Sequence, residues 1–170
     1  KLLELLHPKK VIVPAPSFSE YRLSAEAAGC PVDSFLLKAD QGFALPLEEI
    51  EKKLLPHSLI YLGHPNNPDG QMLSPSDFEA VLRLAKKKES FLIIDESFID
   101  FVGDDVSYRH VLVNETCGAV VMSLTKFYAV PGLRIGAAYL HPALAERLQD
   151  TLIPWNMNGP AQSYVTAAAQ

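Results

Sequence analysis

Polar residues in this chain stand directly behind three short apolar runs. Asn66 and Asn67 follow Ser58–Leu62, Asp95 follows Phe91–Ile94, and Lys126 follows Ala119–Ser123. The intervals, 28 residues from Asn67 to Asp95 and 31 from Asp95 to Lys126, each match one strand–helix–strand unit of about 30 residues. Side chains that leave successive parallel strands at their carboxyl ends converge on one crevice, where open α/β sheets bind ligands. The spacing alone therefore predicts a site holding an amide, a carboxylate and an amine. A carboxylate behind an apolar strand is costly to bury unless something cationic meets it. A lysine in a desolvated site becomes a nucleophile toward aldehydes. Ser123, Thr125, Lys126 and Arg134 place hydroxyls, an amine and a guanidinium within 12 residues, a set suited to holding a phosphate beside an aldehyde trap. Taken singly, each has a plainer reading: Asp95 as a helix cap or salt-bridge partner, Lys126 as a solvated charge, Arg134 as the partner of one of the 20 acidic residues.

The elements that must position these groups alternate in type. Lys10–Pro14 reads as a strand and Ser17–Ala28 as a helix closed by Gly29. Pro31–Leu37 is a strand, Leu47–Leu54 a short helix, and Ser58–Leu62 a strand that runs into the turn-rich Gly63–Gly70. Ser74–Lys88 carries the clearest helix signal: Ser74 suits the N-cap, Pro75 the first helical position, and Asp77 the first turn. Phe78, Val81, Leu82 and Ala85 then fall on one face at helical spacing. Phe91–Ile94 is a continuous apolar strand of the kind buried on both faces of a parallel sheet. Strands at Ala119–Ser123 and Ile135–Leu140, a helix from Pro142 to about Asp150, and a helix starting near Pro160 follow. Strands alternating with helices predict an α/β fold with a largely parallel sheet. Both ends of the chain fall inside helical patterns, so the sequence reads as a piece of something longer.

Composition narrows the classes. With 170 residues, 48% hydrophobic and 21% charged, the chain has enough apolar content for one domain with a substantial core, which excludes intrinsic disorder and a disulfide scaffold. Fifteen basic against 20 acidic residues, a net charge of −5, with no basic stripe, argue against nucleic acid and acidic membranes as partners. No apolar run approaches the roughly 20 residues of a membrane span, and Lys1–Lys10 lacks a signal-peptide pattern. Cys30 and Cys117 lack CxxC spacing and read as buried free thiols. A cytoplasmic location is expected.

Three segments, His64-Pro-Asn-Asn-Pro-Asp-Gly70, Ile93-Ile-Asp-Glu-Ser-Phe-Ile-Asp-Phe101 and Ser123-Leu-Thr-Lys-Phe-Tyr-Ala-Val-Pro-Gly-Leu-Arg-Ile-Gly136, resemble the fold-type I pyridoxal-phosphate enzymes, in that family's order and at its spacing. Within it, the chain is most similar to the threonine-phosphate decarboxylases of cobalamin synthesis and next to the histidinol-phosphate aminotransferases. The resemblance implies a three-layer α/β/α large domain and pyridoxal 5′-phosphate as cofactor. It assigns Lys126 as the amine that takes up the cofactor aldehyde and Asp95 as partner of the pyridinium nitrogen, which makes the ring an electron sink. Asn67 would donate to the ring's phenolic oxygen, Ser123 and Arg134 would bind the phosphate with Thr125 as a weaker candidate, and Phe18 would stack on the ring. Plain core packing is the alternative for Phe18.

The aminotransferases usually carry Tyr three residues after the aspartate, where this chain has Phe98. Phenylalanine cannot donate to the phenolic oxygen. The threonine-phosphate decarboxylases resemble this chain in having Phe there and in the Ser123–Gly132 run. The expectation is therefore decarboxylation of L-threonine O-3-phosphate to aminopropanol phosphate. A histidinol-phosphate type of aminotransferase is the alternative, and a cofactor-sensing, non-catalytic domain of a regulator is a further one. The family's Gly-rich phosphate loop falls upstream of Lys1 and its small domain beyond Gln170. Residues 1–170 are thus expected to be the central part of the large domain of a homodimeric enzyme acting on a small phosphorylated amino acid or amine. Alone, they are expected to bind the cofactor weakly and to have no turnover.

The acidic run Asp95, Glu96, Asp100, Asp104 and Asp105 lacks the DxDxDG pattern of a calcium loop, and these residues read as solvated loop acids. His7, His57, His64, His110 and His141 show no HExxH spacing and read as surface or turn residues. No metal site is expected.

Overall fold

Apolar side chains alternate along the strands, and that alternation divides the core in two. The computed structural model describes residues 1–168. In chain order its elements are α1 (Leu2–Leu6), β1 (Val11–Ala15), α2 (Glu20–Ala27), β2 (Val32–Leu36), α3 (Leu47–Lys53), β3 (Leu59–Gly63), α4 (Pro75–Lys87), β4 (Phe91–Asp95), α5 (Arg109–Leu112), β5 (Gly118–Ser123), α6 (Leu124–Phe127), β6 (Gly136–Leu140), α7 (Pro142–Gln149) and α8 (Gly159–Ala168). On one side of the sheet Ile12, Ile60, Leu92, Ile94 and Val120 meet Ile50 of α3, Phe78, Val81, Leu82 and Ala85 of α4, and Leu112 of α5. On the other, Val11, Val13, Leu59, Ile93 and Ala119 meet Leu3 of α1, Tyr21 and Ala25 of α2, and Leu144 of α7. Because successive strand side chains point to opposite faces, one sheet serves both cores. The result is an α/β/α sandwich.

Among the described residues the strands form one six-stranded sheet in the order β2-β1-β3-β4-β5-β6. Neighbours from β2 to β5 pair in parallel, with Asp95 opposite Gly63 and Val121. The strand order reverses direction at β1 and β3, which opens a crevice above their carboxyl ends. Strand β6 runs antiparallel to β5, with Ser123 opposite Gly136. This direction matters for the site: the start of β6 lies beside the end of β5.

The helices begin and end where their residue types dictate. In α4, Ser74 Oγ accepts from the Asp77 amide at 3.1 Å and donates to the Asp77 carboxylate at 2.8 Å, with Pro75 in the first helical turn. The buried face of α4 is Phe78, Val81, Leu82 and Ala85, the face expected from periodicity. Helix α2 ends in a Schellman turn: Gly29, at φ 73°, donates to Glu26 O at 2.9 Å, and Cys30 donates to Ala25 O at 2.9 Å. A residue with a Cβ would be strained at that φ.

Two expectations need correction, for Glu96 and for the cysteines, while His64 takes the turn expected of it but is buried there. Glu96 is not a solvated loop acid; it is completely buried, accepting from Ser107 Oγ at 2.5 Å and from the Tyr108 amide at 2.7 Å, bonds that offset its desolvation. His64 does occupy the turn after β3 but is only 1% exposed. Its Nδ1 accepts from the Leu73 amide at 3.0 Å, which leaves the proton on Nε2, 2.9 Å from Val106 O. The two free cysteines are half-buried rather than buried. Asp104 and Asp105 are exposed as expected. No helix among the described residues is long and apolar enough to cross a membrane.

Candidate functional site

The carboxyl ends of four strands deliver side chains to one cavity of about 360 Å³. Phe18, Glu20 and Tyr21 come from the link after β1 and the start of α2. Pro65 and Asn67 come from the turn after β3, Asp95, Ser97 and Phe98 from the end of β4, and Ser123 and Lys126 from the end of β5 and α6. Arg134 reaches the same cavity from the other direction, because β6 starts beside the end of β5. The convergence expected from strand spacing is therefore present for Asn67, Asp95 and Lys126. It extends to Phe18, Phe98, Ser123 and Arg134.

Two residues lie elsewhere. Thr125 is buried on α6 with its Oγ1 2.7 Å from Ser123 Oγ, so it touches the site through that serine. Asn66 is buried and turned away, its amide donating to Asp69 at 2.8 Å and to Pro16 O at 3.3 Å. Of the two adjacent asparagines, only Asn67 faces the cavity.

Asp95 is fixed on both carboxylate oxygens. Tyr21 Oη donates to Oδ2 at 2.8 Å. The Ser97 amide donates to Oδ1 at 2.9 Å, and Ser97 Oγ donates to the same oxygen at 2.5 Å. Tyr21 is in turn held by a stacked contact with Tyr61 at 5.0 Å and an edge contact with Phe18 at 5.9 Å between ring centroids. Burial first, and then the charge of Asp95, push the Tyr21 hydroxyl far above the ordinary tyrosine range. It therefore stays a proton donor at neutral pH. Among the described residues no cation pairs with this half-buried carboxylate; hydrogen-bond donors meet it instead.

Lys126 and Arg134 are exposed, and Phe18 is 41% exposed, so the cavity is open on the side these residues form. Arg134 takes a left-handed backbone conformation, φ 52°, and its guanidinium donates to Pro131 O at 3.1 Å. One guanidinium N–H is thereby committed, and the fork retains others for a planar anion. The set can thus hold an anion at the Ser123–Arg134 end and meet an electropositive group at Asp95. It presents the Lys126 amine to the same cavity.

Glu20, Tyr21, Pro65 and Ser97 line the cavity without having been assigned from the sequence, and of these Tyr21 and Ser97 bond Asp95. Tyr21 sits three residues after Phe18, in the first turn of α2, and both line the cavity; that spacing is the signal available in the sequence. Ser97 follows Asp95 by two, the spacing at which a residue's amide and hydroxyl fold back onto an aspartate.

A family model described as aminotransferase class I and II matches residues 2–170. The chain is 31% identical over 159 residues to threonine-phosphate decarboxylase from Salmonella typhimurium, covering 92% of this chain and 43% of that protein. It is 30% identical over 161 residues to histidinol-phosphate aminotransferase 1 from Pasteurella multocida, covering 91% and 43%. The crystal structure of the histidinol-phosphate aminotransferase from Clostridium acetobutylicum superposes with a TM-score of 0.81 at 30% identity, covering 92% of this chain and 47% of that one. The chain thus spans less than half the length of the relatives it matches.

Proposed function

The chain belongs to the aminotransferase class I and II family, and from that premise we propose that it contributes a pyridoxal 5′-phosphate site to a protein that decarboxylates L-threonine O-3-phosphate. The product would be aminopropanol phosphate, and the setting cobalamin biosynthesis. The residues present suit that cofactor: carboxylate, amine, hydroxyl and guanidinium line one cavity, with an aromatic ring at its rim. When bound, the cofactor supplies an aldehyde for amines and a protonated ring that withdraws electrons from a substrate carbon.

The chain's own residues divide the remaining work. Asp95, held by Tyr21 and Ser97, presents a fixed carboxylate to the ring nitrogen. Ser123 and Arg134 hold the phosphate, and Asn67 the phenolic oxygen. Phe18 covers the ring. Lys126 would hold the cofactor through its aldehyde and, when free, would carry a proton at Nζ.

Phe98 is the one sequence feature that separates this reading from an aminotransferase, although a missing donor does not by itself select decarboxylation. It lines the cavity and has no hydroxyl to offer where a tyrosine would donate. The identity to a protein named threonine-phosphate decarboxylase points the same way. A second reading, an aminotransferase of the histidinol-phosphate type, is favoured by the TM-score of 0.81 against such an enzyme. Under either reading the substrate is a small phosphorylated amine or amino acid. We place residues 1–170 in the central part of the large domain of a cytoplasmic homodimer, with the Gly-rich phosphate loop and the small domain contributed from outside this span.

The test uses the full-length protein with added pyridoxal 5′-phosphate. One reaction receives L-threonine phosphate and the other histidinol phosphate with 2-oxoglutarate, and products are read by mass spectrometry. Aminopropanol phosphate in the first supports the decarboxylase. Glutamate in the second establishes the aminotransferase and removes the weight placed on Phe98.

A further inference from the structure

The sheet continues past the end of β4 through a side chain. Strand β4 ends at Asp95, and the Glu96 amide still reaches Val121 O on β5 at 2.8 Å. The next β5 amide in that direction, Ser123 N–H, is taken up by Ser97 Oγ at 3.1 Å. An amide can only donate, so the hydroxyl oxygen accepts there and its proton is directed at Asp95 Oδ1, 2.5 Å away. The two bonds form one chain, Ser123 N–H to Ser97 O–H to Asp95, and consecutive hydrogen bonds of this kind polarise one another.

We propose that Ser97 is a positioning residue whose hydroxyl locks the orientation of the Asp95 carboxylate to the backbone of Ser123. The proposal rests on the pyridoxal-phosphate reading above and deepens it. Under that reading Asp95 meets the ring nitrogen at one end of the cofactor and Ser123 meets the phosphate at the other. Ser97 ties the two ends of that cradle together through its bonds to Asp95 and Ser123, and it lines the same cavity. The turn itself does not require a hydroxyl. The Ser97 amide bonds Asp95 independently at 2.9 Å, so any residue at this position would keep that contact. What the serine adds is the link from Asp95 across to β5.

Replacement by alanine therefore removes the link and leaves the turn. Full-length wild-type, Ser97→Ala and Ser97→Thr proteins are titrated with pyridoxal 5′-phosphate. Affinity is read from visible absorption, and the pH dependence of the bound cofactor's absorption is recorded at saturation. Loss of a charge-assisted bond is expected to weaken cofactor binding about tenfold in Ser97→Ala. The midpoint of the pH profile is expected to move by about one unit, with a melting temperature lower by a few degrees, as for any lost bond to this carboxylate. Threonine keeps the hydroxyl and is expected to restore both. The proposal is overturned if Ser97→Ala keeps wild-type affinity and pH profile, or if both variants lose stability alike and threonine rescues nothing. A wild-type protein that yields no cofactor absorption overturns the underlying reading, a result separate from either of those.

Discussion

Tyr21 and Asp95 lie 74 residues apart in the chain and 2.8 Å apart in the fold. Tyr21 belongs to the first turn of α2, on the flank of the sheet, while Asp95 closes β4 near its centre. The bond therefore pins a helix start to a strand end across the crevice at the reversal of strand order. Removing it with Tyr21→Phe keeps the ring packing against Phe18 and Tyr61 and deletes only the donor. A hydrogen bond to a charged group contributes about 1.5–3 kcal/mol, so Tyr21→Phe is expected to lower the melting temperature by several degrees. Cofactor affinity should fall with it. Thermal unfolding and cofactor titration on the same variant check both, and a variant as stable as wild type would show the bond to be idle.

Alkaline pH offers a second test. Burial raises the hydroxyls of Tyr21 and Tyr61 above their ordinary value, and Tyr108 is pushed up to about 12, by burial first and then by the charge of Glu96. In the unfolded chain tyrosine ionises near 10.0. Above that pH the unfolded state has released protons that the native state retains, so stability falls as pH rises. Burial also raises the Cys117 thiol from its ordinary 9.0. Chemical-denaturation midpoints are therefore expected to hold to about pH 8, to decline slightly near pH 9 and to drop further beyond about pH 10. Ultraviolet difference spectra should show these tyrosines ionising only as the chain unfolds.

Gly63, the last residue of β3, tests how the turn carrying Asn67 is held. A Cβ built there would lie 2.8 Å from the Asn66 Cα and 3.1 Å from its Oδ1. Backbone cannot rotate out of the way, so Gly63→Ala must move the turn. A cost of about 1–3 kcal/mol is expected for such overpacking, together with weaker cofactor binding through the displaced Asn67. Gly132→Ala is the matched control, since nothing lies within 4 Å of its Cβ. Equal behaviour of the two variants would refute the steric argument.

Lys126 carries the amine chemistry in the proposed function. Lys126→Ala is expected to abolish attachment of cofactor to the chain on borohydride reduction, read as the absence of added mass on the intact protein. Turnover should fall by at least the 10²- to 10⁴-fold that proton transfer by a positioned side chain contributes. Retained attachment would place the reactive lysine elsewhere.

Residues differ in how openly the sequence announced them. The buried face of α4 was legible because Ser74 and Pro75 mark its start and the 3.6-residue period selects Phe78, Val81, Leu82 and Ala85. Asn67, Asp95 and Lys126 were legible as a group because each directly follows an apolar run, and parallel strands leave only one place for such residues to meet. The burial of Glu96 was not: its offsetting donors, Ser107 and the Tyr108 amide, arrive from a segment more than ten residues on, with no periodic signal. His64 hides for the same reason, since its partners Leu73 and Val106 are fixed by tertiary structure alone. The antiparallel course of β6 was equally silent, because nothing in Leu124–Ile135 distinguishes a reversal from a crossover. That reversal is what brings Arg134 to the cavity.

Parallel strands impose an order of events on the newly made chain. Val11 pairs with Leu59, Leu59 with Phe91, and Leu92 with Gly118, and each partnership waits until the intervening segment has collapsed. Such long-range pairing is slow, because the entropy of closing the loop is lost before the contact rewards it. Asn67, Asp95 and Lys126 stand at or just past the ends of β3, β4 and β5, so they come together only once those three strands have paired. Cofactor uptake during refolding should consequently lag behind helix formation seen by circular dichroism, which makes the ligand a reporter of sheet completion.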